Sequence, residues 1–147
     1  MVNGVIYLVK SCVKLRAIYA DTDAMGIVYH TNYIRWFEIG RTELFRSMGI
    51  VSKNIEPTGV NLPITKVYCH YLRSARYDDL VQIETEVDYL KRASIRFSYK
   101  VWDESLDNLL TEGYTVHACT DRDGKIIRVP TMIAEKIWLF SKISKER

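Results

Sequence analysis

The spacing of apolar residues predicts one long amphipathic helix from Thr31 to Met48. Apolar side chains recur there every three or four positions, which is the period of a helix that buries one broad stripe. Gly49 follows at once and suits a C-terminal cap. The apolar members are Tyr33, Ile34, Trp36, Phe37, Ile39, Leu44, Phe45 and Met48. A stripe this wide needs cover, and only a curved sheet built from the rest of the chain can supply it.

Five other segments are predicted as β-strands, one before the helix and four after it. The later four are rich in Val, Ile, Thr, Tyr and Phe, and the middle two alternate clearly between apolar and polar positions. The segments are Val13 to Ala20, Asn61 to Leu72, Leu80 to Lys91, Ser94 to Asp103 and Leu109 to Asp121. The joins between the last three have hairpin lengths, so we expect those strands to be antiparallel neighbours.

A shorter closing helix is predicted after Pro130, because apolar residues again recur at helical spacing up to Phe140. The fold class is therefore α+β, with a curved antiparallel sheet of about five strands wrapped around one long central helix. No linker or low-complexity segment interrupts the pattern, and one domain is expected over residues 1–147.

The N-terminal residues 1–12 contain one apolar run, Val5 to Val9. This run is too short to span a bilayer and lacks a small-residue cleavage site. We therefore expect no integral membrane segment, and interpret residues 1–12 as an added strand or as the product of a start codon placed too early.

Composition narrows the classes of function. Hydrophobic residues make up 48% and charged residues 27% of the chain, which is ordinary for a folded soluble protein. A net charge of +3 is too small to favour nucleic acid, but a locally basic rim could still hold a phosphate-bearing small molecule. The three cysteines form no Cys-x-x-Cys pair, which argues against a disulfide framework and a thiolate zinc site. A reducing cytoplasm and no metal are expected.

The candidate chemistry lies where the first strand meets the long helix. Asp21, Asp23 and His30 are packed into a glycine-containing turn just before that helix. The start of a helix leaves backbone N–H groups unpaired and carries about half a unit of positive charge, so it can polarise a carbonyl oxygen. Asp23 would then lie beside an electrophile that the backbone has already activated.

Structural explanations compete with this one. Aspartates before a helix often serve capping and turn geometry, and we predict such a structural role for Asp21. The turn also resembles the first half of a calcium loop, but Met25 and Asn32 stand where oxygen ligands would be needed. His70 and His117 lie inside strand patterns and are predicted to be structural.

The motif residues carry a resemblance to the hotdog-fold acyl-CoA thioesterases, and most of all to the 4-hydroxybenzoyl-CoA thioesterase and YbgC-like group. The matching pattern is Tyr-x-Asp-Thr-Asp followed by x-x-Gly-x-Val-Tyr-His-x-x-Tyr, over Tyr19 to Tyr33. Two further stretches match, Glu-Ile-Gly-Arg-Thr-Glu from Glu38 and the loop Tyr71 to Asp79, where Ser74 replaces a usual Pro. The resemblance covers roughly residues 13–129.

The resemblance implies an activity and a set of site residues. Asp23 is the catalytic carboxylate, Tyr19 and His30 join it, and the amide near His30 polarises the thioester carbonyl. Coenzyme A, which is part of the substrate and not a separate cofactor, is held at a subunit interface, where Lys91 and Arg92 match a phosphate-contacting position. The resemblance further implies that the substrate is an acyl-CoA or an acyl-carrier-protein thioester and that the protein is a homodimer or homotetramer.

The chemistry fits these residue types independently of the family. A thioester leaves as a thiolate of pKa about 8.5 and needs little acid assistance. Asp23 can act as a general base for water or as a nucleophile that forms a mixed anhydride. Glu38 and Glu43 are rival carboxylates, but they lie deeper in the helix and are expected to pair with Arg41 or a partner subunit.

Two other functions stay open at this point, a hotdog dehydratase and a non-catalytic acyl-binding protein, because one fold hosts several activities. The sequence leaves the acyl group undetermined, and it leaves coenzyme A and carrier protein as alternatives.

Overall fold

The computed structural model describes residues 9–146, with side chains described as far as Ser141. The predicted N-terminal strand from Val5 to Val9 lies almost entirely outside this range. The described residues form five strands and three α-helices. In chain order these are β1 (Lys10–Arg16), α1 (Asn32–Ser47), α2 (Ser52–Ile55), β2 (Ile64–Tyr71), β3 (Leu80–Leu90), β4 (Ser94–Asp103), β5 (Leu109–Ala118) and α3 (Thr131–Glu146).

The strands form one antiparallel sheet in the order β1-β3-β4-β5-β2. The predicted hairpins β3–β4 and β4–β5 are confirmed, and β4 has the predicted bounds. The first strand differs from its prediction, because it begins at Lys10 and ends at Arg16. The reason is local, since the carboxylate of Asp21 accepts the N–H of Ile18 and bends the chain into a 3-10 turn over Tyr19–Asp21.

Helix α1 lies on the sheet with the predicted apolar face, and its bounds agree with the prediction to within one residue. Its Phe37 ring stacks on Tyr99 of β4 with centroids 4.2 Å apart. Gly40 marks the closest approach, because a Cβ atom there would lie 2.2 Å from the Thr85 hydroxyl oxygen of β3. The buried helix residues are Tyr33, Trp36, Phe37, Gly40 and Leu44. This packing fixes the direction of α1, and so the place where its N-terminus opens.

The closing helix α3 is longer than predicted. It spans 16 residues, the same number as α1, because it continues past the last apolar residue of the sequence pattern into a polar stretch rich in Lys and Ser. Its Ile133 and Ile137 are fully buried, and the Lys136 ammonium donates to the carbonyl of Gly49 at 3.0 Å. The searched part of the chain contains no helix with both the length and the apolar character for crossing a membrane.

Candidate functional site

A cleft of about 280 Å³ opens beside the N-terminus of α1. Asp23 and His30 both line it, so the fold brings together two of the three predicted catalytic residues. Its opposite wall comes from the end of β2 and the loop that follows, with Tyr71, Arg73 and Ser74. The cleft therefore holds a carboxylate, an imidazole and a guanidinium-bearing side chain around one helix terminus.

The turn at Asp23 is built by its own sequence. The Asp23 N–H donates to the carbonyl of Ile27 at 2.9 Å, and the Gly26 N–H donates to the Asp23 carbonyl at 3.0 Å. One carboxylate oxygen of Asp23, Oδ1, accepts the N–H of Met25 at 2.8 Å. Gly26 has φ 79°, a left-handed conformation that suits glycine. The turn therefore fixes Asp23 and uses only one of its carboxylate oxygens.

Asp21 has the predicted structural role. It is 5% exposed, and its carboxylate accepts hydrogen bonds from the Ile18 N–H and the Arg35 guanidinium. Its carbonyl accepts the side-chain amide of Asn32 at 2.7 Å. Neither aspartate caps α1, however, because its N-cap residue Thr31 makes no side-chain cap bond. Asp21 attaches the turn to the helix and leaves the helix terminus open.

The start of α1 presents unpaired backbone donors. Within residues 9–146, the N–H groups of His30 and Thr31 donate to no acceptor, whereas the Asn32 N–H bonds to the carbonyl of Tyr29 at 2.9 Å. Free N–H groups at a helix start bind negative charge, and the helix dipole adds to this. An oxygen that gains negative charge during a reaction would be stabilised here.

His30 is held by aromatic residues. Its ring lies against the ring of Tyr29, with centroids 4.5 Å apart, and meets the Tyr71 ring edge-on at 6.3 Å. Its carbonyl accepts the hydroxyl of Tyr71 at 2.7 Å. The loop after β2 adds a second attachment, because the Ala75 N–H donates to the hydroxyl of Tyr33 at 3.1 Å.

Tyr71 and Arg73 are cleft residues to which the sequence analysis assigned no role. The loop that contains them, Tyr71 to Asp79, was part of the matched pattern, and this was the signal that could have found them. The sequence does not show that segments 27–28 and 75–76 pair. This pairing brings the loop to the turn, because the Val28 N–H donates to the carbonyl of Ala75 at 2.9 Å and Ile27 forms a β-bridge with Arg76.

The other three predicted site residues do not line this cleft. Tyr19 is 79% exposed in the 3-10 turn, and its ring meets Tyr77 edge-on at 5.9 Å. Lys91 and Arg92 lie in the β3–β4 turn, at the opposite end of β3 from the cleft, which is about 35 Å along an 11-residue strand. The Lys91 ammonium lies 4.4 Å from the ring centroid of Tyr89. Their predicted roles stay predictions.

The rival carboxylates and the other histidines have separate places. Glu43 bonds to Arg46 at 3.2 Å and not to Arg41, while Glu38 is exposed, and neither lines the cleft. His117 is buried, and its ring nitrogens bond to the Leu62 carbonyl and the Thr115 hydroxyl, as its predicted structural role requires. These two contacts measure 2.8 and 2.9 Å.

A larger depression of about 470 Å³ lies where β1 ends and β3 begins, but its lining is acidic. Asp78, Asp79, Asp103 and Glu104 line it together with Arg16. This charge would repel an anionic ligand. Among the residues searched, no three His, Cys, Asp or Glu side chains are grouped so that they could hold a metal ion. The cleft at Asp23 is therefore the better candidate for an anionic substrate.

Comparison with known proteins supplies the family. The thioesterase-like superfamily model matches residues 19–137. The acyl-CoA thioesterase YbgC of Haemophilus influenzae is 33% identical over 108 residues, which is 73% of this chain and 78% of that protein. The acyl-CoA thioester hydrolase YbgC of Escherichia coli O157:H7 is 31% identical over 107 residues, covering 73% and 79%.

Solved structures agree with this assignment. The DHNA-CoA thioesterase of Staphylococcus aureus has a TM-score of 0.83 and 30% identity, and the match covers 92% of this chain and 91% of that one. A 4-hydroxybenzoyl CoA thioesterase mutant complexed with 4-hydroxybenzoyl CoA, at 23% identity and a TM-score of 0.80, shares the fold. The family resemblance of the sequence is thus confirmed: the chain belongs to the thioesterase-like superfamily and has the hotdog fold.

Proposed function

We propose that this protein hydrolyses acyl thioesters of coenzyme A, or of acyl carrier protein, to a free acid and a thiol. One observation carries the proposal: Asp23 lines a cleft at the start of α1, where the N–H groups of His30 and Thr31 have no acceptor in the described chain. The names of the relatives support the same reaction. The reaction needs water and substrate, so no cofactor is assigned.

In the proposed reaction, the thioester carbonyl oxygen lies against the free N–H groups of α1. Asp23 then either attacks the carbonyl carbon or takes a proton from the water that attacks it. As the tetrahedral intermediate collapses, the carbon–sulfur bond breaks and the sulfur leaves as a thiolate. On the general-base route the acid is released directly and Asp23 returns its proton to the thiolate; on the nucleophilic route water then hydrolyses the mixed anhydride, which releases the acid, restores the carboxylate and supplies the proton. His30 is assigned to orient the carboxylate or the water, because both residues line the same cleft. Tyr19 is assigned a contact with the substrate at the exposed side of the turn.

We further propose that the active form is a homodimer or homotetramer in which β2 edges pair. β2 is an edge strand, and large apolar residues along it are exposed, among them Ile64 and Val67. An exposed apolar edge of this kind favours pairing with a second copy. A two-fold axis perpendicular to the sheet would bring the Lys91–Arg92 end of the partner to the same side as Asp23. Those two basic residues could then contact the phosphates of coenzyme A.

Sedimentation of the native protein and a Val67→Lys variant tests this arrangement. The native protein is expected to sediment as a dimer or tetramer. A charge on the β2 edge is expected to weaken the association between subunits, so that Val67→Lys sediments with a larger fraction of monomer. A native monomer would contradict the proposal.

A cytoplasmic location is proposed as well, because Cys12, Cys69 and Cys119 are all unpaired.

Release of free thiol from a panel of short, long and aromatic acyl-CoA esters tests the activity. The native protein is expected to hydrolyse at least one ester, and Asp23→Asn is expected to lose that hydrolysis while it keeps its fold and oligomer size. If the native protein hydrolyses none, acyl-carrier-protein thioesters are tested next. Failure on both panels would reject the thioesterase proposal.

A further inference from the structure

Tyr71 is held firmly where β2 ends and the cleft wall begins. It pairs with Thr111 in the sheet, and the N–H groups of Leu72 and Arg73 both donate to the carbonyl of Leu110, at 2.9 and 3.0 Å. Its ring meets the ring of Tyr33 at 5.4 Å. The backbone and the ring of Tyr71 are therefore both constrained before its hydroxyl makes any contact.

The hydroxyl of Tyr71 reaches across the cleft to the α1 side. It donates to the carbonyl of His30 at 2.7 Å, the usual distance for an O–H···O hydrogen bond. Burial raises the pKa of the Tyr71 hydroxyl above its ordinary value, and the nearby Cys69 thiol raises it further, so the group remains a protonated donor at neutral pH. The contact joins residues that are 41 positions apart in the chain.

His30 lines the cleft with its imidazole, and its carbonyl belongs to the same planar peptide unit as the N–H of Thr31, which has no acceptor in the described chain. Holding this carbonyl restricts rotation of the peptide unit that carries the Thr31 N–H, and it restricts the position of the His30 Cα to which the imidazole is attached. A catalytic group that moves by about 1 Å can lose on the order of a hundredfold in rate. The Tyr71 hydroxyl is therefore placed to control the alignment of both groups.

We propose that Tyr71 is a positioning residue for the proposed thioesterase reaction: its hydroxyl holds the His30 carbonyl and so aligns the imidazole of His30 and the N–H of Thr31 with the substrate. This inference rests on the proposed function. Tyr71 does not touch the reacting atoms in this account and acts only through His30.

Removal of the hydroxyl by Tyr71→Phe tests the proposal, because the ring contacts remain. Tyr68→Phe is the matched control: Tyr68 lies on the same strand, is 47% exposed against 42% for Tyr71, and stacks on Tyr114, but its hydroxyl has no described partner. We expect kcat to fall about tenfold in Tyr71→Phe, which corresponds to the loss of one hydrogen bond, with KM within about twofold. Tyr68→Phe should keep the native kcat.

A second readout separates this proposal from the proposed function. Nuclear magnetic resonance of the His30 imidazole and the Thr31 amide is expected to show shifted signals and faster amide exchange in Tyr71→Phe, and native signals in Tyr68→Phe. This holds even if the native protein hydrolyses no thioester, an outcome that would reject the proposed function alone. Unchanged signals of the His30 imidazole and the Thr31 amide in Tyr71→Phe would overturn the positioning role. An equal loss of kcat in both variants, or none in Tyr71→Phe, would overturn it as well.

Discussion

Two hairpins of this protein, residues 21–29 and 119–127, have the same backbone hydrogen bonds in different surroundings. Both contain Thr-Asp-x-x-Gly, with Asp23 in the first and Asp121 in the second. In each hairpin, the aspartate N–H donates to the carbonyl four residues later, and the glycine N–H donates to the aspartate carbonyl. The N–H of the last hairpin residue donates to the carbonyl of the first. The aspartate carboxylates accept the N–H two residues later, at 2.8 and 2.9 Å, and the glycines have φ of 79° and 84°.

Each hairpin also leads into a 16-residue helix, but the residues just before the two helices differ in their hydrogen bonds. The N–H of Thr31 has no acceptor in the described chain, whereas the N–H of Val129, at the equivalent position of the second hairpin, donates to the carbonyl of Arg92 at 2.8 Å. The next residue there, Pro130, has no N–H. The comparison teaches that the local sequence encodes the turn, while tertiary packing decides whether the turn can host chemistry.

The largest effect among the variants that sharpen this comparison is expected for His30→Ala. The first hairpin is followed by an imidazole in the cleft and the second is not, so loss of His30 should lower kcat by about a hundredfold. Steady-state thiol release measures this. His70→Ala, at a half-exposed histidine on β2, is the control and should keep kcat. Near-native turnover in His30→Ala would exclude a direct role for the imidazole.

Asp21→Asn tests how the first hairpin is attached to α1. This residue is buried and accepts hydrogen bonds from the Ile18 N–H and the Arg35 guanidinium, while the equivalent residue of the second hairpin is the buried Cys119. Weakening charge-assisted hydrogen bonds should lower the free energy of unfolding by about 1–3 kcal/mol. Urea denaturation measures the change. A variant as stable as the native protein would show that the attachment does not depend on this charge.

Gly26→Ala and Gly124→Ala compare the two turns directly. Both glycines have positive φ, and a Cβ atom would meet nothing within 4 Å at either site, so each substitution costs only backbone strain. We expect each to lower the free energy of unfolding by about 1 kcal/mol. Only Gly26→Ala should also lower kcat, because it disturbs Asp23. Thermal unfolding and thiol release measure the two effects, and equal losses of kcat would contradict the assignment of the cleft.

The smallest expected effect is the dependence of stability on pH. Burial lowers the pKa of His117, whose ring bonds to the Leu62 carbonyl. Leu62 follows Asn61, which forms a β-bridge with Thr120 of the second hairpin. The unfolded chain gains a proton near pH 6.5 and the folded chain does not, so the stability present at neutral pH is lost as the pH falls below about 6.5.

The expected slope is at most about 1.4 kcal/mol per pH unit from this one group. Urea midpoints at pH 7.5 and pH 5.5 should therefore differ less in His117→Gln than in the native protein. Equal differences in the two proteins would contradict the role given to His117.

The sequence predicts most of the fold because alternation and helical spacing are strong in β3, β4 and α1. It misplaces β1, since the bend after Arg16 depends on the carboxylate of Asp21 and not on hydrophobic pattern. It also shortens α3, because the last part of that helix is polar. These errors lie at element ends, where single hydrogen bonds and polar residues decide the structure.

The site is predicted only in part for a related reason. The turn that holds Asp23 is local, and His30 follows it closely, so both can be identified from one motif. The Tyr71 wall depends on contacts across about forty residues, which no spacing reveals. Lys91 and Arg92 lie at the opposite end of β3 from the cleft, so their proposed contact with coenzyme A depends on the proposed partner subunit.

The most direct measurement compares kcat for thiol release in Asp23→Asn and Asp121→Asn, using the acyl-CoA ester that the native protein hydrolyses best. The two substitutions change the same residue type in turns with matching backbone hydrogen bonds, so a general loss of turn structure would affect both. The account predicts that Asp23→Asn loses at least about a hundredfold in kcat and Asp121→Asn keeps the native value. Activity that survives in Asp23→Asn, or that falls equally in both variants, would contradict it.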